Sequence, residues 1–296
     1  MNPGLLLAFD DELEPARALA EALDVPLALI GRHVFPDGEL RLNLPPQLPE
    51  QVLLLRGLHR PNVKLAELLI SAPAARELGA RRLVLVSPYL AYMRQDMAFT
   101  PGEAVSQRHI GAALARLFDA VVAVDPHLHR ISRLDQVMPG CQAVALSAAP
   151  LLGDWVARQV PGALLLGPDE ESAQWVSVAA REQGLQHAVC VKQRFGDRDV
   201  RVALPPGLDC RGRAVVLMDD MASTGRTLIE AAHAARAAGA ASVAAVVTHG
   251  LFSGDALAAM RAAGIERIWA SDAVPLPDGV QSVALAPLLA AAVRAL

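Results

Sequence analysis

Lysine is nearly missing from this chain. All but two of its 27 basic residues are Arg, the exceptions being Lys64 and Lys192. Arg serves ordinary surface charge here, so a remaining Lys has a raised prior of being kept for its compact ammonium group. A basic excess is missing too: the formal net charge is −4, which leaves nothing with which to hold a polyanion nonspecifically and argues against nucleic acid as a partner. Cysteine is scarce. Cys141, Cys190 and Cys210 are odd in number, far apart and in no CxxC pairing, which argues against both a disulfide framework and a structural zinc site; they read as reduced core filler. No uncharged apolar stretch free of Pro and Gly reaches the roughly 18 residues of a membrane span. The opening MNPGLLLAFDDELEP has no basic leader and reaches Asp10 too early for a signal peptide, so it reads as a first strand. A cytoplasmic protein with neither membrane nor nucleic-acid partner is expected.

What the chain has in quantity is apolar sequence, 53% over 296 residues, enough for two ordinary cores. Short Val- and Leu-rich runs at 52–55, 83–86, 120–124, 163–166, 214–218 and 242–247 alternate with helical-period stretches at 63–78, 105–118, 172–183 and 227–238. Runs with little alternation imply strands covered on both faces, and the strand-then-helix order implies parallel sheets, hence an α/β fold. RRLVLVSPYLAYMRQD followed by DAVVAVDPHLHRI has the same rhythm as GALLLGPDEES followed by GRAVVLMDDMASTG. A weak internal duplication predicts two similar domains, 1–145 and 146–296. Ligands in such sheets gather at the carboxyl ends of strands, where these four loops lie.

The stretch VVLMDDMASTGRT at 215–227 is the most informative. Gly225, flanked by Ser223, Thr224 and Thr227, lets backbone amides turn toward an anion at the start of a helix. Asp219 and Asp220 would repel that anion, and are more sensible if they face hydroxyls a few ångströms away, as in a sugar phosphate. The simpler reading is a strand end followed by a helix cap. The stretch is not the GxxxxGK[ST] loop of nucleotide triphosphatases.

An apolar strand followed by DDxxxTGxT resembles the phosphoribosyl-pyrophosphate (PRPP) loop shared by type I phosphoribosyltransferases, which consume PRPP, and ribose-phosphate pyrophosphokinases, which make it. FPDGELR at 35–41, SPYLAYMRQDMAFTPGEAVS at 87–106 and VDPHLHR at 124–130 resemble only the second family, as a divergent member of bacterial type. The resemblance implies two domains of the type I phosphoribosyltransferase fold, each a mostly parallel sheet flanked by helices. It implies that Phe35, Asp37 and Glu39 with Arg94 and Gln95 hold ATP, and that His127 and Asp169 bind Mg²⁺. An aromatic ring can stack on a base and Arg can fork onto phosphate; the plain alternatives are a turn with Phe35 as a core anchor, and a surface salt bridge for Arg94. His129 reads as peripheral. In CVKQRFGDRDVRV, Lys192 and Arg194 are spaced i, i+2 and so share one face of an extended segment; they resemble the family's catalytic arm, against the plain reading of a charged edge hairpin turning at Gly196–Asp197.

The implied reaction is ATP plus ribose 5-phosphate giving PRPP and AMP, with Ser223, Thr224, Gly225 and Thr227 on the phosphate, Asp219 and Asp220 on the hydroxyls, and self-association as a dimer or hexamer. The alternatives are a phosphoribosyltransferase using PRPP and a noncatalytic regulatory partner of a synthetase; the second would be expected to lack the acidic pair or the Lys/Arg arm, and both are present. Arg226, Met97, Ala98, Glu170, Glu171 and Pro126 depart from the family's usual residues, which bears on nucleotide choice, metal affinity and regulation.

Overall fold

Apolar runs become strands wherever both of their faces can be covered. In a computed structural model of the chain, which describes residues 3–128, 130–194 and 200–296 (backbone only at 192–194, 200 and 201), all six expected runs do so. The chain divides into two compact units. One comprises the residues up to Leu146 together with Ala284–Leu296, and the other Ser147–Val283.

The first unit carries a parallel six-stranded sheet of β1 (Leu5–Ala8), β2 (Leu27–Leu29), β5 (Gln51–Leu55), β6 (Arg82–Ser87), β7 (Ala120–Val124) and β8 (Gln142–Leu146), in the spatial order β2-β1-β5-β6-β7-β8. A separate antiparallel hairpin, β3 (Gly31–Val34) and β4 (Leu40–Asn43), precedes β5. Helices α1 (Leu13–Leu23), α2 (Pro61–Glu77) and α3 (Ser106–Leu117) complete it with the last helix of the chain. Val52, Leu54, Leu83, Leu85 and Val121 are fully buried in its core.

The second unit repeats this plan. Strands β9 (Leu164–Gly167), β10 (Gln186–Val189), β13 (Ala214–Ala222), β14 (Ser242–Gly250), β15 (Ile265–Ser271) and β16 (Gln281–Val283) lie in the order β10-β9-β13-β14-β15-β16, all parallel. A hairpin of β11 (Val191–Arg194) and β12 (Val200–Ala203) again precedes the central strand. Its helices are α4 (Ala149–Gln159), α5 (Ala173–Gln183), α6 (Arg226–Ala237) and α7 (Ala256–Ala262).

Two expectations change. The final helix, α8 (Ala286–Ala295), packs with α1 in the first unit: Arg294 donates to the carbonyl of Ala22, and Arg82 reaches the carbonyl of Leu296 at 3.1 Å. Residues 284–296 therefore lie outside the unit to which the sequence assigned them. The repeat is also set in a different register. By sheet order β5 matches β13 and β1 matches β9, whereas the sequence comparison had aligned β6 and β7 with β9 and β13. All three cysteines are buried and free, and burial raises each thiol, Cys141 to about 11 and Cys190 to about 12. Among the described residues no helix is long and apolar enough to cross a membrane.

Candidate active site

Asp219 and Asp220 lie within β13 rather than beyond it. Pairing with β9 ends at Leu217, while pairing with β14 continues to Ala222, so the central strand projects past one neighbour and carries the acids on the projecting part. The Asp220 N–H donates to Asp219 Oδ1 at 3.0 Å, and Asp220 is buried. Burial, then the negative charges of Asp220 and of Asp169, push the Asp219 carboxyl well above the ordinary carboxylate range. Asp169 follows β9 and caps a short 3-10 turn, its Oδ1 accepting from the Glu171 N–H at 3.2 Å. One sheet end thus gathers three carboxylates.

Directly after them a helix begins at a left-handed glycine. Gly225 is the N-cap of α6 at φ +71°, a left-handed conformation that side chains rarely adopt, and a Cβ there would stand 2.9 Å from Met260. No side chain caps this helix start among the described residues. Ser223 reaches the Ser253 hydroxyl at 3.2 Å, and its carbonyl accepts from the Ser253 N–H at 2.8 Å, tying the loop to the segment after β14. Thr224 and Arg226 are exposed and Thr227 is half-buried. Lys192 and Arg194 lie on β11, paired with Val202 and Val200; their side chains and the expected turn at Gly196–Asp197 are outside the described residues.

In the first unit, residues 35–39 form the turn of the β3–β4 hairpin. The Phe35 N–H donates to the Glu39 carbonyl at 2.8 Å, Gly38 takes φ +92°, and the Glu39 N–H donates to Asp37 Oδ1 at 3.1 Å. The turn is there, but Phe35 is no core anchor. It is 38% exposed, edge-on to His33 at 4.7 Å, with Arg41 6.0 Å from its ring centre.

Arg94 is exposed and makes no ion pair among the described residues. Gln95 is committed internally: its Nε2 donates to Glu103 Oε1 at 2.9 Å, and its Oε1 accepts from Ser106 Oγ at 2.5 Å. Glu103 also accepts the Phe99 and Thr100 N–H groups at 2.8 and 3.1 Å, and these bonds hold its carboxyl below the ordinary range. The loop is tightly organised, with Arg94 presented outward and Phe99 71% exposed. At the end of β7, Asp125 is buried at φ +38°, its N–H donating to the Leu146 carbonyl at 2.8 Å; His127 is half-buried and His129 lies outside the described residues.

The sequence reading missed a buried charge cluster where β1 and β5 end. Glu67, fully buried on α2, accepts Arg32 Nη1 on Oε1 at 2.6 Å and Arg56 Nε on Oε2 at 2.7 Å. Arg56 Nη1 donates to Asp11 at 2.8 Å and to Glu12 at 2.9 Å, and Glu12 Oε1 accepts the Gly57 N–H at 2.8 Å. Lys64 donates to the Gly57 carbonyl at 2.6 Å and sits 3.6 Å from Glu12. Burial raises Asp11, but its hydrogen bond to Arg56 and the charge of Arg56 more than offset this, leaving the carboxyl below its ordinary value. His59, beside Lys64, is pushed down to about 4 by burial and then by Lys64 and Arg56. The scarcity of Lys was the one signal that pointed here.

Residues 5–117 match the model of the N-terminal domain of ribose phosphate pyrophosphokinase, and residues 138–262 the model of the phosphoribosyl transferase domain. A ribose-phosphate pyrophosphokinase of Methanopyrus kandleri is 37% identical over 98% of each chain. One from Sulfurisphaera tokodaii is 30% identical over 92% of this chain and 94% of its own. Both sources are archaeal, in contrast to the bacterial type expected. The phosphoribosylpyrophosphate synthetase of Mycobacterium smegmatis superposes with a TM-score of 0.84 over 99% of this chain and 98% of that one, at 24% identity, which speaks for the shared fold.

Proposed function

Because the chain belongs to the ribose-phosphate pyrophosphokinase family, and so transfers pyrophosphate from ATP to ribose 5-phosphate to give PRPP and AMP, we propose a division of labour among its residues. The second unit takes the sugar phosphate: Ser223, Thr224, Gly225, Thr227 and the α6 amides on the phosphate, Asp219 and Asp220 on the ribose hydroxyls. The carrying observation is the order along one strand end, crowded carboxylates followed at once by a left-handed glycine that opens a helix. A site for hydroxyls or a cation next to a site for an anion fits a sugar phosphate and fits neither half alone.

Phe35, Asp37 and Glu39 take the adenine, and Arg94 the nucleotide phosphates, with Gln95 shaping the loop that presents Arg94. The sugar 1-hydroxyl attacks the β-phosphorus; the new O–P bond forms as the bond to AMP breaks, and AMP leaves with the electron pair. Lys192 and Arg194, two residues apart on β11, neutralise charge on the moving pyrophosphoryl group and the leaving AMP. No side chain is assigned as a general base.

Asp169 and His127 are assigned to Mg²⁺. Among the described residues no group of three or more His, Cys, Asp or Glu side chains is placed to hold an ion by itself, but the carboxylates at the β9 and β13 ends are the oxygen donors a hard cation takes. When bound, the ion supplies charge neutralisation on the phosphates. Self-association has support in an apolar face on the first unit. Val34 and Phe35 on the hairpin and Val63, Leu69 and Ile70 on α2 are exposed, next to a cavity of about 470 Å³ lined by Gly38, Glu39, Asn62 and Val63.

The test is direct. Protein, Mg²⁺, ATP and ribose 5-phosphate should yield AMP and PRPP in equal amounts. Absence of AMP, with PRPP consumed when free bases are added, would make it a transferase instead.

A further inference from the structure

We propose that Arg32 and Glu67 are positioning residues for the nucleotide, orienting the β3–β4 hairpin through a buried ladder of charge that ends at Arg56. The inference rests on the assignment of Phe35, Asp37 and Glu39 to ATP. A two-stranded hairpin is marginal by itself, and this one has little core to hold it: Gly31, His33, Val34, Arg41 and Asn43 are all exposed. Leu42 packs against the core cluster and β4 runs along α2 with Leu40 half-buried, but apolar contacts of this kind do not fix a direction.

Arg32 does fix one. Its Nη1 donates to Glu67 Oε1 at 2.6 Å, its Nη2 donates to Asp10 Oδ1 at 2.9 Å, and the guanidinium lies 5.7 Å from the centre of the Phe9 ring. A planar fork bonded along two directions and set against an aromatic ring has far less freedom than a lysine in the same place. Glu67 in turn cannot shift. It is fully buried, and its second oxygen takes Arg56 Nε at 2.7 Å and Nη2 at 2.5 Å. Arg56 is locked from the other side by Asp11 and Glu12 and lies 4.5 Å from the centre of the same Phe9 ring.

The ladder therefore joins the ends of β1 and β5 and the helix α2 to β3. Phe35 is three residues beyond Arg32, about 10 Å along an extended strand. Rotation at Arg32 moves the adenine contacts and leaves the sugar-phosphate loop, which belongs to the other unit, as it was.

Steady-state kinetics of Arg32→Met, Arg32→Lys, Glu67→Gln and Phe35→Ala test this. Arg32→Met should raise KM for ATP about tenfold, the loss of one charged hydrogen bond's worth of orientation, with kcat and KM for ribose 5-phosphate within about threefold of the parent. Arg32→Lys, which keeps the charge without the fork, should fall between the two. Glu67→Gln should reproduce the ATP defect and also lower Tm, because it sits between two guanidinium groups. If Arg32→Met leaves KM for ATP within about twofold while Phe35→Ala raises it, the ladder does not position the hairpin. A parallel rise in both KM values, or a fall in kcat alone, would make Arg32 merely structural and overturn the proposal. If Phe35→Ala also leaves KM for ATP unchanged, the assignment of the hairpin to ATP fails and takes the inference with it.

Discussion

The loop that follows β5 and the loop that follows β13 hold the same place in two copies of one topology, and their charges are arranged in opposite ways. After β5, cations and carboxylates interleave: Arg56 lies between Glu67, Asp11 and Glu12, and Glu12, carried by the turn after β1, accepts the Gly57 N–H. A carboxylate of the chain itself thus accepts from a backbone amide of the loop after β5. After β13, Asp219 is pressed by Asp220 and by Asp169, which follows the matching strand β9. The first copy carries its own counter-charges, whereas the second brings like charges together. The same scaffold occurs twice, and the crowding of like charge distinguishes the copy to which we assign the sugar phosphate.

The first copy is most vulnerable at Arg56. Replacing this fully buried guanidinium with Met leaves Glu12, Asp11 and Glu67 facing one another, at a cost of about 3–5 kcal/mol of stability. Because the fold holds Asp11 below its ordinary value of 3.8, its contribution is present above that pH and is lost as pH falls through the folded value. The stability gap between parent and Arg56→Met, read by chemical denaturation, should therefore narrow as the solution is acidified below about pH 4; a constant gap would show that Arg56 acts through packing alone.

Next in size is the arm. Lys192→Ala should lower kcat by about 10²–10³, or about 3–4 kcal/mol in the barrier, with ribose 5-phosphate binding by calorimetry unchanged. Its counterpart hairpin, β3–β4, bears no such pair, so a mutant turning over within about threefold of the parent would erase the catalytic difference between the two hairpins.

Much of this was readable in the sequence because burial dictates it. Val- and Leu-rich runs covered on both faces have no alternative to parallel strands, so β5, β7 and β14 lie where expected to within a residue or a few. Asp219 and Asp220 hid inside a strand because aspartate disfavours strands, and the run was read as ending at Met218. The register of the repeat was hidden for a related reason: Arg56–Gly57 stands where Asp219–Asp220 stands in the other copy, so the two loops share no residues to align. The charge cluster joins residues as far apart as Glu12 and Glu67, a convergence no spacing reveals. Lys64 is instructive. Its rarity did mark a need for a compact ammonium, but a structural one, on the Gly57 carbonyl. Scarcity alone therefore does not make Lys192 catalytic; its place on β11 beside Arg194 carries that argument.

The smallest effect is the most diagnostic of this crowding of like charge. Asp219 has its folded pKa raised above the ordinary 3.8, so between those two values the native state holds a proton that the unfolded chain has released. Stability is then lost as pH rises through that window, the reverse of the Asp11 case. Asp219→Asn removes the titration and should stabilise the protein at pH 8 by about 1 kcal/mol while weakening sugar-phosphate binding, the familiar trade of function for stability. Tm measured at pH 5 and pH 8 should show the mutant's advantage growing with pH. Addition of Mg²⁺ and ribose 5-phosphate should then reverse the order, since only the parent keeps the carboxylate proposed to bind them. A mutant less stable than the parent at pH 8 without ligand would mean that the Asp219 carboxylate is already compensated within the fold, and the contrast with the loop after β5 would fall.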